Sequence, residues 1–463
     1  HTLTVNGDMS GAGNLVINSG ASLLSYDGNT VANVTINRST RYTDGRYSFV
    51  GTPTEINEDI TGADLGSVVY TYNESVAYGV DGLARWESAI DNQLLPGIGY
   101  AQAFKKDLSF TGKPNDGTIT VSGLSHSGSL EPGWSLVSNP YPAAIDVTAF
   151  LEENSITTGA IYLWDDHGSD TGRGENGDYL TANSIGSVNG PNGGSFSGYI
   201  GSVQGFFVKI AAPHDNASVV FTENMRVSGS NTDVSFFRKE EETYPIIKLA
   251  LASQSGQYNE LLLAFRPDAT FGGDRNFDAA KLRLPDQLQF YSLSGQSHFA
   301  IQALPNKKGA SVELGYDMTS SEAMTLQVLS MDGLPAGMTI HLLDKKTEIV
   351  YDLSEISSIG FYANNGTDQN RFRLIYEASD ILASEIVRSE PIFRFFSNNL
   401  NVTFSQSTDV EGYIVYDLSG KTIAHKSLHG AVLKELNIPL HSSGLNIIKV
   451  ITREGIYTRK ITY

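Results

Sequence analysis

The chain contains no cysteine, only three tryptophans and no long apolar run. Without cysteine there are no disulfides and no thiolate-bound metal, so stability has to come from buried sheet area. That economy suits an exported protein and a cytosolic one equally. No stretch approaches the roughly 18 consecutive apolar residues of a membrane-spanning helix, and the chain starts at His1 without a signal-peptide pattern. Positive charge is also scarce: 32 Lys and Arg face 51 Asp and Glu, a net charge of −19. A body this acidic repels phosphate backbones, which excludes nucleic acid as a partner. The deficit is uneven, because residues 392–463 hold 8 basic and 5 acidic side chains, a net of +3 that leaves −22 for residues 1–391.

Aromatic residues and glycine are plentiful. The 463 residues include 22 Tyr, 21 Phe and 46 Gly, enough for several packed cores and many turns between short strands. Near the start, "LTVNG", "LVINS" and "VTINR" repeat one pattern, with β-branched residues alternating with polar ones and an Asn following at Asn6, Asn18 and Asn37. This is how the last coils of a β-solenoid read, and also how an ordinary meander reads. Residues 41–235 read as strands bounded by Gly, Pro, Asn and Asp, with one short helix in "AIDVTAFLEEN", where Asp146 is placed to cap. The run "FFRKEEETYP" marks a linker, and "PIIKLALAS" and "YNELLLAF", separated by "QSGQ", predict a hairpin that opens a second sandwich. The expected organisation is all-β: a solenoid-like end at 1–40, a sandwich module at 41–235, a second antiparallel sandwich at 236–380, a linker at 381–391 and a small C-terminal sandwich at 392–463.

The terminal stretch carries "VYDLSGK", then "SSGLNIIKV", then "YTRKITY". In that order they resemble the type A C-terminal sorting domain of proteins exported by the type IX secretion system of Bacteroidetes. The Pro-Asn-Pro turn that usually opens that domain is replaced here by Asn398 and Asn399 in "FRFFSNNLNVTF". Upstream, "GWSLVSNPYP", "IYLWDD", "GYIGSVQGFFVK", "DATFGGDRNFDAAKL" and "DQNRFRLIYE" are similar to a module that precedes the sorting domain in large Bacteroidetes surface proteins. The resemblance implies a secreted, cell-surface protein without catalytic activity, the C-terminal part of a larger chain. Its partners would be the outer-membrane shuttle and translocon proteins of the export system. Asp417, Gly420, Lys421, Gly444, Lys449, Arg453, Arg459 and Lys460 are then the residues expected to present the signal. With "REG" as the turn of a final hairpin, Lys449, Arg453, Arg459 and Lys460 are expected to lie close together on an exposed edge.

Other constellations are weighed against plainer readings. "DDHGSDTGRGENGDY" gathers Asp165, Asp166, Asp170, Glu175 and Asp178 among glycines, the hard oxygen ligands that calcium prefers, but without the spacing of an EF-hand; a hydrated acidic loop is the plainer reading. Asp274, Asn276 and Asp278 form a second candidate of this kind. No cofactor is otherwise implied. His425 and His429 stand four apart in strand-like text, which does not bring them together as zinc ligands. Ser125 in "GLSHSG" lacks the second glycine of a nucleophile elbow. Trp134, Tyr141, Tyr162, Trp164 and Tyr199 are core aromatics or, in the second reading, a platform for surface glycans, which with the acidic loop would make a calcium-assisted glycan-binding or adhesion module. A hydrolase with an unrecognised site is the third reading.

Overall fold

The computed structural model describes residues 2–6, 9–10, 15–26, 33–40, 46–56, 60–77, 83–126, 132–165, 178–189, 196–212, 214–228, 244–283, 287–305, 310–334, 338–378, 392–396, 399–417, 421–440, 445–452 and 455–462. The chain divides into two compact units, His1–Glu241 with Asp274–Pro285, and Glu242–Gly273 with Asp286–Tyr463. The expected stretches 1–40 and 41–235 fall in the first unit, and most of 236–380 and all of 392–463 in the second. The linker at 381–391 and most of the charge run at 236–245 lie outside the described residues.

The first unit opens with parallel rungs. Thr2–Asn6 pairs with Ser22–Tyr26 and Leu15–Ile17 with Val34–Ser39, each in parallel register. Strands that stack on their own sequence one coil later place equivalent side chains above one another. Ile17, Leu23, Val34 and Ile36 form the buried interior of the stack. On its surface Asn37 Nδ2 donates to Asn18 Oδ1 at 2.9 Å, an asparagine ladder between two of the three repeated motifs. Asp107–Gly112 then pairs antiparallel with Val34–Ser39 and ends the parallel run.

Beyond the rungs the first unit is antiparallel. A four-stranded sheet runs in the order Tyr47–Val50, Tyr100–Ala103, Val68–Tyr72, Trp86–Ser88. A five-stranded one runs Trp134–Ser138, Gly205–Ile210, Thr157–Asp165, Asp178–Ala182, Ser187–Val188. Phe150, Phe206 and Phe221 pack edge to face and tilted in the core beneath the second of these. Helix Val147–Glu153 forms where the text suggests it. Asp146 stands in extended conformation before it and its Oδ1 accepts from Ala149 N at 2.9 Å, satisfying an otherwise orphaned donor.

In the second unit ten strands pair in the order Ile349–Asp352, Met338–Asp344, Gly366–Ala378, Ala310–Met318, Gln289–Ser294, Ser297–Pro305, Tyr258–Arg266, Ile246–Ser253, Glu322–Asp332, Ser358–Ala363. The hairpin at "QSGQ" is present, with Ala252 opposite Tyr258 and Gly256 at φ +95 in the turn. Only Tyr258–Arg266 and Ser297–Pro305 pair in parallel within this order. Arg371 and Asp344 meet in the interior, both nearly inaccessible, in a two-pronged bond of 3.1 and 2.9 Å. The guanidinium also lies 4.5 Å from the centre of the Phe361 ring, and its Nη1 donates to the Tyr362 carbonyl at 2.9 Å.

Residues 392–463 form one further sheet of five strands. Asn399–Tyr416 is its spine. Thr422–Pro439 pairs along its length on one side, while Ile392–Phe396 and Leu445–Thr452 share the other side end to end. Register shifts between Thr403 and Thr408 and between Val410 and Gly412 mark bulges, which bend long strands. The inward side chains of this sheet, among them Phe393, Val402, Val415, Ile448 and Val450, belong to the same buried cluster as Leu249, Leu263 and Phe372 of the preceding sandwich.

Candidate functional site

The last two strands, Leu445–Thr452 and Gly455–Thr462, make a hairpin in which Thr452 faces Gly455 and Lys449 faces Thr458. Two residues therefore form the loop, one fewer than the "REG" reading assumes. A shift of one residue carries every side chain of a strand to the opposite face. Ile448 and Val450 are buried, and opposite them stand Arg459 and Tyr457. Arg459 consequently lies on the inward side. It pairs with Glu348 of the sandwich at 2.8 Å and sits 5.4 Å from the centre of the Phe393 ring.

The outward side carries Ile447 and Lys449 on one strand and Thr458 and Lys460 on the other, with Ile447 opposite Lys460. Thr458 and Lys460 are exposed and Lys449 is half-buried. Ile414 and Tyr416 of the spine share this face through their pairing with Lys449 and Ile447. Lys449 Nζ stands 5.5 Å from the centre of the Tyr416 ring, an arrangement that holds an ammonium on an aromatic face. The structure thus brings Lys449 and Lys460 together and places Arg459 behind them. Arg453, Gly420 and Gly444 lie outside the described residues.

Asp417 and Lys421 sit at the turn between the spine and Thr422–Pro439. Asp417 Oδ1 accepts from the Lys421 backbone N at 3.0 Å, and Asp417 N donates to Lys421 O at the same distance, while the Lys421 side chain is exposed. The carboxylate therefore shapes the turn. Among the described residues, strand Gly455–Thr462 stands last in the pairing order of the sheet.

Of the acidic loop, Asp165 ends strand Thr157–Asp165 and Asp178 begins the next, directly opposite in register. Asp165 is 9% exposed. Asp166, Asp170 and Glu175 lie outside the described residues, and among the described residues no three His, Cys, Asp or Glu side chains come together. In the second acidic stretch the polar atoms are engaged in holding the chain. Asp278 Oδ2 accepts from Asp274 N at 2.7 Å, and Asn276 Oδ1 accepts from Arg275. Arg275 donates to the carbonyls of Leu151, Asn154 and Thr157, taking up carbonyls at the end of the helix. Gly159, at φ +84, admits the Arg275 carbonyl, which a Cβ there would meet at 1.9 Å.

The five aromatics separate by depth. Trp134, Tyr141 and Tyr162 are at most 2% exposed, so they are core. The single proton of the Tyr141 hydroxyl is shared between Gly117 O at 2.6 Å and Phe221 O at 2.8 Å, and burial raises its phenol above the ordinary range. Trp164 and Tyr199 are half-buried. Trp164 stacks on Phe49 with centroids 6.1 Å apart and meets the Tyr179 ring edge to face at 5.1 Å. Phe49 is one partner that the sequence does not single out; its place in "YSFV" between turn residues marks a strand and nothing more.

No curated protein matches this chain. A family model described as a domain of unknown function, DUF8693, matches residues 1–376, ending before the five-stranded C-terminal sheet. The chain belongs to that family.

Proposed function

We propose that this is a non-catalytic, secreted cell-surface protein whose residues 392–463 are the address read by the outer-membrane machinery of a type IX secretion system. The observation that carries the reading is the terminal hairpin. Its second strand is the last in the pairing order of the sheet, and Lys449 and Lys460 share the outward face beside it. A partner can add a strand to such an edge, gaining backbone hydrogen bonds, while the two ammonium groups select an acidic receptor surface. The contrast between a tail of +3 and a body of −22 favours engagement through the tail. The body is then cargo, built for stability outside the cell.

Two constructions in a Bacteroidetes host test this. In one, the chain ends at Ala378; in the other, residues 242–463, which keep the buried cluster shared by the tail sheet and the sandwich, follow an unrelated periplasmic passenger. The reading expects the shortened chain to remain in the periplasm and the passenger to reach the cell surface or medium, only where the type IX translocon is intact. Export of the shortened chain together with retention of the passenger would overturn it.

A further inference from the structure

We infer that the first unit holds a binding cleft for a neutral saccharide, built where the parallel rungs meet the antiparallel sheets. The cavity is about 300 Å3, at the lower end of the range of about 300–1,000 Å3 for small-molecule sites. Tyr47, Phe49 and Trp164 supply its aromatic lining, and Ser39, Ser48 and Gln204 are among its neutral hydrogen-bonding side chains. A sugar ring has apolar C–H faces and a rim of hydroxyls, and it is recognised by this combination of flat aromatic surface with neutral donors and acceptors.

The charge of the lining narrows the ligand further. No carboxylate is among the described lining residues, and the one guanidinium, Arg38, is 7% exposed. Its Nη1 and Nη2 donate to the carbonyls of Ile17, Asn18, Asn37, Ala21 and Pro142, so they hold the backbone and are not offered to an anion. Burial lowers its pKa to about 10, still protonated at neutral pH, which disfavours a cation. A neutral ligand remains.

Aromatic walls in a cleft are pre-formed when neighbouring rings hold them. Trp164 is fixed by Phe49 and Tyr179, and Phe49 in turn meets Trp86 at 5.8 Å and Phe207 at 5.6 Å. The cleft therefore loses little freedom when a ring enters.

The test is a printed array of neutral gluco-, manno-, galacto- and N-acetylglucosamine oligosaccharides, with uronic and sialylated glycans as comparators, probed with the full chain. Affinity for the best neutral ligand is then measured by calorimetry. The inference expects binding to a neutral class, weakened about tenfold or more by Trp164→Ala, as loss of a stacking surface implies, and less by Trp164→Phe. Ser39→Trp at the exposed rim, which also removes the surface bond from Ser39 Oγ to Asp107, should weaken it while the chain still unfolds in a cooperative transition. Absence of any neutral signal, a signal confined to the acidic glycans, or affinity unaltered in Trp164→Ala and Ser39→Trp would overturn it.

Discussion

Single residues carry two kinds of work in this protein, and they differ in how far they can be read from the chain. Tyr141 lies in "SNPYP", a turn by its text, yet its side chain is fully buried and its hydroxyl lies between the carbonyls of Gly117, in a bend, and Phe221, at a strand end. Replacing it by Phe leaves both acceptors without that donor, and unfolding in urea should show a loss of about 1–3 kcal/mol. Because burial raises the folded phenol above its ordinary pKa of 10.0, its contribution is present in full below that value and is lost as pH rises beyond it. The gap between native and Phe chains should therefore narrow in alkaline solution. Asp344 is a second case. Its bond to Arg371 is nearly inaccessible, so Asp344→Asn strands a buried cation, and denaturant unfolding should fall by about 3–5 kcal/mol. Neither partner was legible, since Asp344 and Arg371 stand far apart in sequence and only the pairing of Met338–Asp344 with Gly366–Ala378 brings them together.

At the scale of elements the periodic text was a good guide. Alternating β-branched runs became strands, the repeat of Asn18 and Asn37 became a ladder one coil apart, and Asp146 capped the only α-helix among the described residues. Register was less accessible. Whether "REG" supplies three loop residues or two is a small local difference, but it decides which face receives Arg459, and the observed pairing sends it inward to Glu348. The same limit governs the cleft. Trp164 can be named from "IYLWDD", but its neighbours Tyr47, Phe49, Arg38 and Gln204 come from strands and turns scattered along the first unit. Pairing between distant strands gathers them, and a single sequence carries no direct mark of that pairing.

For the whole molecule, the split of charge and the order of the C-terminal motifs pointed to a body and a tail. The structure adds that the inward face of the tail sheet shares its buried cluster with the preceding sandwich. What a receptor can meet is then the outward face and the outermost strand, where Lys449 and Lys460 are the charges of the terminal hairpin. That makes the proposed address a matter of surface chemistry, separable from folding by changing those two side chains. The most direct test is the full-length double variant Lys449→Glu with Lys460→Glu, expressed in a host with a working type IX system and compared with the native chain in thermal unfolding and in cell fractionation. The account predicts a cooperative unfolding transition lowered by no more than the loss of the Lys449–Tyr416 contact, about 1 kcal/mol, with the variant held in the periplasm; equal amounts of both chains at the surface or in the medium would contradict it.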